Sequence, residues 1–265
     1  KEGFNITELF PEQNGLISED KILNEIKEDT FLISIMFANN EIGVIQPIQK
    51  IFQICRKKEI KFHTDAAQCL GYIPIVDFNS IANMITLSSH KIYGPKGVGL
   101  LIVDHDIQLN PLIYGGGQEF GYRSGTIPLP LIIGFSKAIE LALENQVRNS
   151  IHFANLRDNL MDGLLKNNSN IEINGSIEKR LPNNLNITVF DTSGSNLHKS
   201  LKSQIICSSG SACSNGKPSH VLMSLGRSFK EAEASIRLSM GLNTTAEEIQ
   251  QSIDFITNAI NRIRN

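Results

Sequence analysis

The chain has 265 residues, 41% of them hydrophobic and 20% charged, with a formal charge of −2. That is more than one ordinary core of about 100–200 residues and too apolar for disorder; the near-neutral charge argues against a generic nucleic-acid binder. Its longest apolar runs, Phe31 to Ala38 and Val98 to Val103, fall well short of the roughly 18 residues that span a bilayer, so no membrane segment is expected.

The opening KEGFNITELF has neither a basic start with an apolar core nor a methionine, and so resembles neither a signal peptide nor a natural beginning. Phe31 to Ala38 is short, apolar and rich in branched residues, which predicts a strand covered on both faces. Ile48, Ile51, Phe52 and Cys55 keep the i, i+3, i+4, i+7 spacing of a helix, closed by the charge run Arg56 to Glu59 before the strand IKFHTD. Further strands are predicted at Met84 to Ser88 and Gly99 to Asp104. Apolar strands alternating with amphipathic helices signify an open α/β sheet, with ligands at the carboxyl ends of its strands.

After Thr126 a long helical pattern begins near Pro128 and Pro130, and a domain boundary is placed near Glu144. This gives a large domain over residues 1–144 and a smaller α+β domain over 145–265. In the second, a strand is predicted at Asn186 to Phe190, and a helix opened by Pro218, with Leu222 and Leu225 inward, ends at Gly226. The last helix carries Ile249, Ile253, Ile256, Ile260 and Ile263 on one face, with Thr244 and Glu247 as its capping box.

Cys55, Cys69, Cys207 and Cys213 are scattered through a chain too large to need staples, which favours a reducing, cytoplasmic compartment. No pair has CxxC spacing, so no metal site is expected.

SSHKIYGPKG places Lys91 directly after a strand, behind two hydroxyls and a histidine. A lysine fixed there can form a Schiff base, and Ser88, Ser89 and backbone amides could hold a phosphate. The same segment also reads as a solvated lysine in a Gly/Pro turn. Asp65 ends the strand of FHTDAAQ, with Gln68 three residues on; a carboxylate there can keep a pyridine nitrogen protonated, or can simply cap a helix. Asn40, in FANNEIG, offers an amide to a ring oxygen, although paired asparagines before a glycine also suit a turn.

FANNEIG, HTDAAQ, SSHKIYGPKG, GGGQEFGYRSGT, SSGSAC and SIRLSMG, in this order, resemble the motif series of the pyridoxal-phosphate-dependent cysteine desulfurases, of the class V aminotransferase group of fold-type I enzymes. The resemblance implies an α/β fold, a mostly parallel sheet flanked by helices plus a smaller α+β C-terminal domain. It implies pyridoxal 5'-phosphate as cofactor, with Lys91 as its Schiff-base lysine, Asp65 on the pyridine nitrogen, Gln68 and Asn40 beside the ring hydroxyl, and Ser88 and His90 on the phosphate. Thr126 would reach the phosphate in the other subunit of a homodimer. Arg237 would grip the carboxylate of L-cysteine, aided by Asn40, and Cys213 would be the nucleophile that takes the sulfur as a persulfide for an acceptor or scaffold protein. The products would be L-alanine and sulfur for iron-sulfur clusters or other thio-cofactors, with no nucleic-acid or membrane partner.

The family begins with a segment, a little under a third of its chain, that has no counterpart here and that holds a phosphate loop and a ring-stacking histidine. This polypeptide alone is therefore expected to be inactive or nearly so. Phe120 stands where related sequences usually carry arginine, and the loop after Cys213 is shorter than in the housekeeping branch. A selenocysteine lyase of the same family and a non-catalytic fragment that binds a partner remain the alternatives.

Overall fold

In chain order the elements are α1 (Glu19–Glu25), β1 (Leu32–Ser34), α2 (Ile48–Lys57), β2 (Lys61–Asp65), β3 (Met84–Ser88), β4 (Gly99–Val103), α3 (Leu129–Glu144) and α4 (Gln146–Asn167). There follow β5 (Ile171–Ile173), β6 (Asn184–Val189), α5 (Gly194–Leu201), α6 (His220–Ser224), α7 (Phe229–Glu233), β7 (Ser235–Ser239) and α8 (Ala246–Arg264). This is a computed structural model, and it describes residues 3–75, 77–208 and 218–264. The chain divides into two compact units. One is Asp29–Met36 with Ile48–Gln146; the other gathers the chain before residue 29, Phe37–Pro47 and everything from Val147 onward. Where the sequence suggests one boundary near Glu144, the chain thus crosses between units at residues 28/29, 36/37, 47/48 and 146/147.

The first unit is built on a four-stranded sheet in the order β1-β2-β3-β4. β1 pairs parallel with β2, and β2 parallel with β3, while β4 runs antiparallel to β3. Parallel neighbours need a crossover, and α2 supplies the one between β1 and β2. Its apolar stripe buries Ile48, Ile51, Phe52 and Cys55, and Phe52 stacks on Phe62 of β2 with ring centroids 6.1 Å apart. The pleat sends Phe62, Thr64, Ile85 and Leu87 into that core and leaves His63, Asp65 and Thr86 on the opposite face.

The expected strand Phe31 to Ala38 is only three residues long, and it forms the sheet's edge rather than a strand covered on both faces. Phe31 is 60% and Leu32 40% exposed, and after Met36 the chain leaves for the other unit, so its apolar run is divided between two environments.

The second unit carries the antiparallel sheet β5-β6-β7. Every residue of the central strand β6 is buried, as a strand with both edges paired and both faces covered requires. Ile249, Ile253, Ile256 and Ile260 of α8 line one helical face and are all buried, and α5 packs on that helix. Each such side chain contributes about 1.5–3 kcal/mol on burial. The capping box of α8 is one residue later than the spacing suggests: Thr245 Oγ1 accepts from Glu248 N at 3.2 Å, and Glu248 Oε2 accepts from Thr245 N at 2.8 Å. Thr244 instead accepts from Gly241 N through its hydroxyl, closing the preceding turn. Among the described residues no helix is long and apolar enough to cross a membrane, and no group of three or more His, Cys, Asp or Glu could hold a metal ion.

Candidate active site

In the sheet unit, the polar groups gather at the carboxyl ends of the adjacent parallel strands β2 and β3. Asp65 is the last residue of β2. Its Oδ1 accepts from Ala67 N at 2.9 Å, which starts the turn that carries half-buried Gln68 away from the strand. One carboxylate oxygen is thereby held by backbone, and the side chain is exposed.

Ser88 ends β3, and a 3-10 turn, Ser89–Ile92, follows at once. In that geometry residues i and i+3 eclipse, and here Ser89 and Ile92 are the buried pair. His90 and Lys91, between them, must face out, and both are exposed. Tyr93, in the left-handed region at φ 65°, closes the turn. Ser88 Oγ and His90 Nδ1 lie 3.0 Å apart, which couples two of the expected phosphate ligands. Ser89, the other hydroxyl that the sequence offers to a phosphate, is fully buried against Gly94 and points into the core. Thr126 is exposed in the segment that leads into α3.

Behind Asp65 on the same face lies a row across three strands. His63 Nδ1 is 2.8 Å from Ser34 Oγ of β1, and His63 Nε2 is 2.9 Å from Thr86 Oγ1 of β3, the register partner of Asp65. Burial lowers the pKa of His63 and the nearby Asp65 charge partly restores it.

In the other unit, the turn at residues 39–43 is organised by Asn39, whose Oδ1 accepts from Glu41 N at 2.8 Å and Ile42 N at 3.0 Å. Arg237, on β7, donates from Nη1 to Asn40 O at 3.0 Å, so Asn40 and Arg237 are brought together. That bond occupies one of the five guanidinium N–H groups and fixes the plane of the fork. The backbone of Arg237 is also bridged to Ser208, with Arg237 N donating to Ser208 O at 2.7 Å. Cys213 lies outside the described residues. Of the other cysteines, Cys55 and Cys69 are buried and Cys207 is half-buried. Burial raises all three thiol pKa values, that of Cys55 to about 11.

Several residues that hold this second cluster are not evident from local sequence. Glu41 is 1% exposed, its carboxylate accepting from Ser219 Oγ at 2.5 Å. Its carbonyl oxygen accepts from Asn186 Nδ2 at 3.0 Å. The only available signal was a charged residue inside a turn motif, and turns are ordinarily solvated.

A family profile described as aminotransferase class-V matches residues 1–251. A protein named cysteine desulfurase IscS, from Histophilus somni (strain 129Pt), is 43% identical over 267 aligned positions, covering 100% of this chain and 66% of that protein. The chain thus spans just under two-thirds of the length of that curated relative. Among solved structures, a NifS-like protein from Rickettsia africae ESF-5 superposes with a TM-score of 0.87 at 34% identity, covering 95% of this chain and 69% of the other. A structure described as SspA in complex with cysteine gives 0.75 at 36% identity, over 90% and 67%.

Proposed function

The chain belongs to the aminotransferase class-V family, and from that premise we propose that it is the greater part of a pyridoxal-phosphate-dependent cysteine desulfurase. The reaction is L-cysteine to L-alanine, with sulfur carried as a persulfide on Cys213. The observation that carries this reading is that Asp65, at the end of β2, and Ser88 with the turn Ser89–Ile92 that bears Lys91, at the end of β3, stand at the carboxyl ends of neighbouring parallel strands. The relatives named cysteine desulfurase, and one solved with cysteine, support the choice of substrate.

The donor set suits the cofactor. The Asp65 carboxylate would accept from the pyridine N–H, with Gln68 and Asn40 on the ring hydroxyl. Ser88 and His90, already coupled, would hold phosphate oxygens, and Thr126 would reach the phosphate in the partner of a homodimer. Pyridoxal phosphate, when bound, supplies an electron sink that makes the substrate α-carbon acidic.

The chain's own groups do the rest. Lys91 would bond the cofactor aldehyde and, once displaced by substrate, take the α proton and return it. Arg237, its plane set by Asn40 O, would grip the substrate carboxylate through its remaining donors. The Cys213 thiolate would attack the substrate sulfur: an S–S bond forms as the C–S bond breaks, and the electron pair left on carbon is protonated to the methyl of alanine. A thiol on an acceptor protein would then take the outer sulfur. The unpaired Cys55, Cys69 and Cys207 accord with a reducing, cytoplasmic setting.

Cofactor capture is the direct test. After incubation with pyridoxal phosphate and borohydride, the intact mass of the chain should rise by one phosphopyridoxyl group, mapped to Lys91 and missing from Lys91→Ala. An adduct indifferent to Lys91 refutes the role given to Lys91, and no adduct at all means that this polypeptide carries the family's residues without an assembled cofactor site.

A further inference from the structure

Glu41 is a carboxylate taken almost completely out of water, in a turn whose neighbour Asn40 is tied to Arg237, and the reaction proposed above gives it no chemical step. Burying a charge is costly unless hydrogen bonds hold it. The described groups around it form a chain of donors. Leu222 N donates to Ser219 Oγ at 3.2 Å, and Ser219 Oγ donates to Glu41 Oε2 at 2.5 Å. Ser219, itself 1% exposed, is the N-cap of α6, so its hydroxyl caps the helix and reports to the carboxylate at the same time. Serial bonds of this kind polarise and strengthen one another. From the other side, Asn186 Nδ2 fixes the Glu41 carbonyl to the fully buried strand β6.

Ser219 stands two positions beyond residues 209–217, the stretch that contains Cys213, and Ser208 immediately precedes that stretch. Ser208 is bridged to the backbone of Arg237. The residues on both sides of the nucleophile stretch are therefore tied to the elements that carry the expected carboxylate-binding pair, Ser208 to β7 and Ser219 to the 39–43 turn.

We propose that Glu41 is a positioning residue: through Ser219 it ties the start of α6, just after residue 217, to the turn that carries Asn40 beside Arg237, and so supports sulfur transfer to Cys213. The role in catalysis rests on the desulfurase reading, whereas the tether does not, and the test separates them. In the 265-residue chain, amide exchange at Leu222 reads the tether. Ser219→Ala and Glu41→Ala should each speed it about 5- to 30-fold, the loss of one buried hydrogen bond. The double variant should exchange no faster than the more affected single, because both remove the same bond. Glu41→Gln, which keeps an acceptor oxygen, should remain near wild type. Additive effects, or Glu41→Gln behaving like Glu41→Ala, overturn the tether; Ser219→Ala with Glu41→Gln carries the test should Glu41→Ala not fold. With pyridoxal phosphate and L-cysteine added, persulfide on Cys213 should drop severalfold in Ser219→Ala while iodoacetamide alkylates Cys213 at least as fast as in wild type. Unchanged persulfide despite faster exchange overturns the positioning role. A wild-type chain with the tether intact and no persulfide instead overturns the catalytic role of Glu41 in this polypeptide, and Leu222 exchange alone then decides whether Glu41 holds α6 to the 39–43 turn.

Discussion

Gly43 closes the turn that carries Asn40 and Glu41, and replacing it by alanine meets two obstacles at once. Its φ is +71°, in the left-handed region, where an L side chain costs roughly 1–2 kcal/mol. A Cβ there would also lie 2.6 Å from Asn184 Oδ1, 2.8 Å from its Cγ and 2.9 Å from its Cβ. Asn184 is a buried residue of β6, so only part of that overlap can relax, and overpacking of this kind costs about 1–3 kcal/mol. The sum, about 2–5 kcal/mol, corresponds to roughly 30- to 4,000-fold in an opening equilibrium. Native-state amide exchange at Ile187 and Val189, in the centre of the same unit, reads that equilibrium without assuming that both units unfold together. Gly226 is the control: its φ is +91° and nothing lies within 4 Å of the added carbon, so Gly226→Ala carries the backbone cost alone, roughly 5- to 30-fold. If Gly43→Ala speeds exchange no more than Gly226→Ala, the close approach of the turn to β6 is wrong.

The remaining predictions concern titration and thiol chemistry. Burial holds the pKa of His63 below its ordinary 6.5, so the unfolded chain takes the proton first. Its contribution to stability is then complete above about pH 6.5 and is lost as pH falls through the folded value. His63→Gln should flatten the stability profile of the sheet unit below pH 6.5, and an imidazole that titrates at or above 6.5 by NMR would contradict this. With its thiol raised to about 11, Cys55 is about 0.1% thiolate at pH 8. Cys55 and Cys69 should therefore resist iodoacetamide in the native chain and label readily in urea; rapid native labelling of either would show that the core around α2 and β2 opens.

The local signals in this sequence are periodic and chemical, and those are the features that sequence alone determined. Ile48, Ile51, Phe52 and Cys55 mark a helix face because an amphipathic helix must bury one stripe whatever it packs on. The same holds for the isoleucines of α8, and for Leu222 and Leu225 before Gly226. Ordered motifs likewise placed Asp65, Ser88 and Lys91 at strand ends, because a strand followed by turn-forming residues ends at a predictable place. Tertiary structure decided what depends on distant partners. Alternation of side chains is the same in either strand direction, so only pairing made β4 antiparallel. An apolar run reads as a buried strand wherever it lies, so only the path of the chain made β1 an exposed edge and sent Phe37–Pro47 to the other unit. Nothing within a few residues of Glu41 shows that it is buried, because the groups that hold it, Ser219 and Asn186, lie 178 and 145 residues away in the chain.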